Sequence, residues 1–357
     1  MAAYTSIDDP SAYFKVQLYT GDGNSSNAIT FNDTDTDMQP DLVWIKNRTA
    51  TSSGSHILND AVRGTQKALY PNGTDAEAST SDGLSAFGSD GFTVGDGAII
   101  NYNNDNYVAW CWKAGTSFTN DASATSVGSI DSAGSINTTS GFAIIRWSGT
   151  AANATIAHGI AAPKMMIIKR ISGGTESWVV YHQAISPAKH LFLNGTDAEN
   201  ADTNNFQNTA TTSSVFSVGT YNQMNASGTN NMIAYCFAEK QGFSKFGSYT
   251  GNGNADGTFV YTGFRPAWFL TKKSSASGNN WTLWDNKRDT KNPMDLLLHP
   301  NSSNAENDSG DNIDFCSNGV KLRNTAGGNN ASGATYIFMA FAEAPFVNSN
   351  GVPCNAR

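Results

Sequence analysis

The sequence predicts an all-β protein of three tandem antiparallel β-sandwich, jelly-roll units. Apolar runs of five to eight residues rich in Val, Ile, Phe, Trp and Tyr alternate with clusters of Gly, Asn, Asp and Ser. That is strand punctuation, and no stretch sustains a helical period. The whole pattern then recurs three times, and a recurring unit of this size sets the architecture. Composition agrees: 15% charged residues, 11% aromatics and 34 glycines suit turn-rich sheets.

Each repeat opens on a strand and a tight turn: Tyr19-Thr-Gly-Asp-Gly-Asn, Trp147-Ser-Gly-Thr and Tyr249-Thr-Gly-Asn-Gly-Asn. Gly and Asn supply the positive φ such turns need. No Walker-spaced Lys-Ser/Thr follows, so these are not phosphate cradles. A proline then leads a strand that ends in basic residues: Pro40-DLVWIKNR, Pro163-KMMIIKR and Pro266-AWFLTKK. Next come His56-ILND, Trp178-VVYH and Trp281-TLWD. An apolar pair runs into a polar loop at Leu69-YPNGTDAE, Leu191-FLNGTDAEN and Leu297-LHPNSSNAEN.

Each repeat closes on Tyr107-VAWCWKAG, Met232-IAYCFAEK or Tyr336-IFMAFAEA. These strands are apolar on both faces, which places each centrally, between a second layer and a neighbour. Cys111, Cys236 and Ala340 occupy one position, so the thiols are small buried fillers. Pro40 and Pro163 are 123 residues apart, Pro163 and Pro266 only 103. The excess falls at 116–139, a flexible linker or a pair of edge strands. The predicted boundaries are 1–115 with a short N-terminal arm, 116–139, 140–241, and 242–357 with a C-terminal tail.

Function classes fall away in turn. The aromatics are too many for a disordered chain, and no run of ~18 apolar residues crosses a membrane. With 22 Lys+Arg against 30 Asp+Glu and a net charge of −8, nucleic acid is not an expected partner. The N-terminus has neither a basic n-region nor an apolar h-region, which predicts synthesis in a reducing cytoplasm. The few histidines show no metal spacing, and no nucleophile elbow is present. The Asp33-Thr-Asp-Thr-Asp run resembles a calcium loop, but position six is Met38 and position twelve Trp44. No catalytic residue, metal or cofactor is expected.

Candidate contacts remain. Asp60 with Arg63, and Asp285 with Arg288, repeat at one position and read as turn locks, with a glycan diol as the alternative ligand. His56 stands where the sister repeats carry Trp178 and Trp281, as a half-buried packing residue. Glu176, Asp197 and Glu199 would be the carboxylates of a polysaccharide-cleaving enzyme. Exposed rings framed by Asn and Asp suit sugars, which points to Tyr102 with Asn103 and Tyr221 with Asn222.

The block from Ser244-KFGSYTGNGNADGTFVYTGFRPAWFLTKK through Trp281-TLWDNKRD to Tyr336-IFMAFAEAPF resembles a repeat module of marine bacteriophage virion proteins. Gly141-FAIIRWSGTAANATIAHGI, Pro163-KMMIIKR and Ile233-AYCFAEKQG resemble it too. The likeness is close over repeats 2 and 3 and looser over repeat 1. It implies a lectin-like (concanavalin-type) jelly roll, a place on the virion, and other virion proteins as partners. Within that setting, the three-copy architecture, the lack of catalytic constellations and the aromatic, Asn-rich loops lead to the expectation of a tail-fibre, spike or similar appendage attaching to a host glycan or receptor, as a homo-oligomer, with a trimer as the guess for a tail appendage. The rival role is a decoration or cement protein. The short N-terminal arm or repeat 1 would dock on the particle, with repeats 2 and 3 projecting.

Overall fold

A computed structural model describes residues 3–31, 36–49, 54–228 and 231–354. The chain is nearly all β, in several antiparallel sheets, with helix confined to single turns. Each repeat builds one inner sheet on the same plan. In repeat 1 the strand order is Phe14–Thr20, Asn106–Trp112, Leu42–Asn47, His56–Asp60. Repeat 3 follows it with Ser244–Thr250, Thr335–Pro345, Phe264–Lys273 and Thr282–Asp285. Repeat 2 uses Phe142–Ser148, Asn231–Ala238, Pro163–Arg170 and Val179–His182, inside a sheet of eight strands.

Two of the additional strands come from the excess segment. Thr116–Asn120 and Ser132–Asn137 pair antiparallel with each other, and the second pairs with Phe142–Ser148. Residues 116–139 are therefore largely sheet edge rather than linker.

The closing strands explain the architecture. Tyr107, Ala109 and Cys111 point into a cluster of repeat 1 alone, while Val108, Trp110 and Trp112 point into a second one. Repeats 2 and 3 divide likewise, with Ile233, Tyr235 and Phe237, then Ile337, Met339 and Phe341, sent to that same second cluster. Alternation along a strand sends successive side chains to opposite faces. Each closing strand thus serves two cores, one private and one shared by all three repeats.

The shared core makes the repeats a closed ring rather than beads on a string. Outside it, smaller outer sheets cover the private cores: Asn27–Thr30 with Gly91–Val94 and Leu84–Gly88, Ala154–Ala157 with Val215–Val218, and four strands beginning with Phe259–Tyr261. The N-terminal arm joins in. Ile7 is buried in the axial core, the Tyr4 hydroxyl donates to the Gly263 carbonyl at 2.7 Å, and Thr5 donates to the Gln241 carbonyl. The arm expected to reach for a particle is folded onto repeat 3 of its own chain.

Hydrogen bonds run around the ring in one sense. Trp178 donates its indole N–H to the Tyr70 carbonyl at 3.0 Å, and Trp281 donates to Phe192 at 2.9 Å. His56 completes the set against the His299 carbonyl at 3.0 Å. Its Nδ1 accepts from Trp44 at 3.0 Å, so the proton sits on Nε2, which donates. Far from half-buried, His56 is fully enclosed, because it fills the tryptophan's place in the junction. The basic ends of the second strands work the same way. Lys46, Lys169 and Lys272 are fully buried, and each ammonium donates to a neighbouring repeat's carbonyl, at Ser303, Thr74 and Thr196.

Candidate functional site

The loops at one end of each repeat rest on one device. Asn101, Asn225 and Asn330 are fully buried. Each side-chain oxygen accepts a backbone N–H from the opening turn, from Asp22, Thr150 and Asn252, all at 3.0 Å. Each amide nitrogen donates to loop carbonyls, at Asn24, Ala152 and Asn254. Gly21, Gly149 and Gly251 must be glycine, because a Cβ would stand 2.2, 2.1 and 2.4 Å from the carbonyl oxygens of Tyr102, Ala226 and Ala331. With the backbone so pinned, side chains at the surface are free to differ without disturbing it.

They do differ. After the buried asparagine stands Tyr102 in repeat 1, but Ala226 and Ala331 in its sisters. Tyr102 is 49% exposed and is held by its N–H on the Tyr107 hydroxyl at 2.8 Å. Asn103 beside it is exposed, and the turn carrying Asp22 and Asn24 lies against it. The Asn24 N–H and the Asn101 amide donate to the Asp22 carboxylate and hold it below the usual carboxylate range. Repeat 1 therefore presents a ring framed by a carboxylate and amides.

Tyr221 is placed otherwise. It precedes the helical turn Asn222–Asn225, is half-buried, and packs against the private core of repeat 2 with its ring 6.3 Å from His190. Asn222 is exposed beside it. Tyr102 and Tyr221 thus belong to different repeats and to opposite ends of the corresponding turn, and the structure does not combine them.

Sequence reasoning missed a second aromatic surface. Phe259 and Tyr261 alternate outward from the strand Phe259–Tyr261, 43% and 55% exposed, while Val260 between them is buried. Corresponding strands carry Ala28 and Thr30 around Ile29, and Thr155 and Ala157 around Ile156, with Ile29, Ile156 and Val260 paired to Phe92, Phe216 and Val320. Only repeat 3 puts rings at these two positions. Gly319, opposite Tyr261, leaves Phe259 its place, since a Cβ there would come within 2.6 Å of the ring. Tyr4 from the arm adds a third ring. Burial and its hydrogen bond with Tyr261 push the Tyr4 hydroxyl up to about 12. The legible signal was the aligned triplets Ala-Ile-Thr, Thr-Ile-Ala and Phe-Val-Tyr.

Apart from Asp197, which is exposed, the remaining described candidates are tied into the fold. Asp60, Arg63, Asp285 and Arg288 have fully buried side chains, so no glycan reaches them and the turn-lock reading holds. Glu176 pairs with Arg170 and Glu199 with Lys189, while the Glu176 and Glu199 N–H groups bond neighbouring repeats at Thr74 and Ser274. Cys111 and Cys236 are buried, and desolvation pushes both thiols up. Asp33 to Asp35 of the calcium-like run lie outside the described residues. Among the described residues no group of three His, Cys, Asp or Glu could hold a metal ion.

No curated protein and no solved structure matches the chain. One family model does, and its match runs through all three repeats, from residue 9 to residue 345, so that it covers the ring as a single unit. The chain belongs to that family, described as a domain of unknown function, DUF7483.

Proposed function

We propose that the chain is a phage virion surface protein, of three lectin-like jelly-roll sandwiches closed into a ring, that attaches to host cells by binding surface glycan. It works in a tail fibre, spike or similar appendage, among other virion proteins and as a homo-oligomer, and without catalysis. One observation carries the reading. Rings stand exposed at Phe259, Tyr261 and Tyr102, where the sister repeats carry Ala or Thr. Exposing an aromatic ring forgoes the stabilisation that burying it would bring, and a sugar's apolar face recovers it on binding.

The test is binding of labelled protein to intact host cells, beside the double variant Phe259→Ala/Tyr261→Ala and the single variant Tyr102→Ala. Attachment predicts cell binding that these changes reduce at least tenfold while thermal melting is unaltered. Protein that ignores cells, yet whose loss leaves particles fragile to heat or osmotic shock, would instead be a cement protein.

A further inference from the structure

A broad groove lies where repeat 1 stops covering the inner sheet of repeat 2. It has a volume of about 660 Å³, within the range of small-ligand sites. Its floor is the added hairpin Thr116–Asn120 and Ser132–Asn137 with the strand it extends. Residues directly opposite one another in antiparallel strands share a face. The register aligns Thr119, Ala133 and Arg146 in one row, and Ser117, Ser135 and Ile144 in the next. Ile144 belongs to the axial core. The groove is thus the uncovered continuation of the face that meets repeat 1 at the junction, and Ala61 and Val62 of repeat 1 form its wall.

Arg146 sets the chemistry. Among the described residues every other arginine pairs with a carboxylate: Arg48 with Glu306, Arg63 with Asp60, Arg170 with Glu176, Arg265 with Glu343, Arg288 with Asp285, Arg323 with Asp314. Arg146 alone has no such partner there. In a chain with 30 acidic residues, Arg146 is half-buried and its guanidinium has no carboxylate to fork there. Its cross-strand neighbours are Ala133 and Ile233; Thr119 continues the row beyond Ala133, and Ser117 and Ser135 lie in the next row, so on the hairpin side only small side chains stand beside Arg146. Asp131, in the same lining, has one oxygen tied to the Ala122 N–H and the other free to accept from a hydroxyl.

We propose that this groove binds a carboxylate-bearing saccharide, with Arg146 forking the carboxylate and the Ser and Thr hydroxyls meeting the sugar hydroxyls. The proposal rests on the glycan reading above but names a different surface and an acidic ligand class. Repeats 1 and 3 have no counterpart of the hairpin, which is the excess that separates the first two repeats.

The experiment is calorimetric titration of the full chain with oligogalacturonate and alginate oligomers, each beside its methyl ester, which keeps the sugar and removes the charge. The acids should bind at least tenfold more tightly than the esters. Arg146→Ala should abolish that preference, a loss of roughly ten- to hundredfold, and Arg146→Lys should restore part of it. Ala133→Trp, which fills the floor, should block the groove, and Phe259→Ala/Tyr261→Ala should leave the acid preference intact. Acids and esters bound alike, no acid bound at all, or an acid preference that survives Arg146→Ala would each overturn the proposal. Its failure with cell binding still sensitive to Phe259 and Tyr261 leaves the attachment reading standing, whereas absence of cell binding with Arg146-dependent uronate binding sinks that reading alone.

Discussion

Beside the axis, two of the three junctions turn on a buried aspartate–arginine pair, and the third on an uncharged histidine. At the first, Asp60 accepts the Tyr235 hydroxyl at 2.7 Å while locking Arg63 in its own turn. Where repeat 3 meets repeat 1, Asp285 accepts the Trp110 indole N–H at 3.0 Å and locks Arg288. Where repeat 2 meets repeat 3, the facing residue is Met339, which has no proton to donate. His182 replaces the aspartate and donates to the Phe338 carbonyl at 3.1 Å, while its Nδ1 accepts from the Ala184 N–H. Ile185 replaces the arginine and joins the axial core. A buried acceptor needs a donor across the interface; where the donor is lost, acceptor and counter-ion go with it. Three positions change as one unit.

The largest effect should come from breaking an ionised junction. Asp285→Ala leaves Arg288 buried without its carboxylate and Trp110 without its acceptor. It should cost about 3–5 kcal/mol, read from urea unfolding, whereas a loss under 1 kcal/mol would mean that Glu306, which also pairs with Arg288 at 2.9 Å, satisfies it alone. The neutral junction should instead fail with acid. Burial pushes His182 down to about 4 from an ordinary 6.5. The unfolded chain therefore binds the proton more readily, and this stability is whole above pH 6.5 and lost as pH falls toward 4. The difference in stability between wild type and His182→Gln should change by about 3 kcal/mol across that window, and a flat difference would deny His182 its place.

A third test converts one junction into the other. Asp60→His alone should destabilise, and the triple change Asp60→His/Arg63→Ile/Tyr235→Met should recover about 1–3 kcal/mol relative to the sum of the single changes. Strict additivity would show that the three positions do not act together. The smallest effect is expected off the axis. Cys236→Ala copies what Ala340 already is in repeat 3, and should cost about 1 kcal/mol in thermal melts while leaving saccharide binding unchanged.

Strand content, the threefold repeat and the two-faced burial of the closing strands were legible in the sequence. They rest on local alternation and on spacing, which need no tertiary partner. Asp60 and Arg63 were legible as a turn lock for the same reason, being three residues apart. His56 was legible as a packing residue but not as a donor across a junction, since its acceptor, the His299 carbonyl, is 243 residues away. Tyr102 and Tyr221 were both read as exposed rings because each precedes an Asn in a polar loop, but packing against the private core of repeat 2 half-buries Tyr221. The platform at Phe259 and Tyr261 was passed over because an aromatic alternating in a strand reads as core until the side it faces is known.

By itself the sequence determined that this chain folds as three copies of one β unit, because periodicity is a property of neighbouring residues along the chain. Only the tertiary structure decided that the copies close on a common axis, which side of each strand meets that axis, and which described arginine is left without a carboxylate. Those outcomes depend on contacts between residues a hundred or more positions apart, and a linear pattern carries the face of a strand but not what lies opposite it.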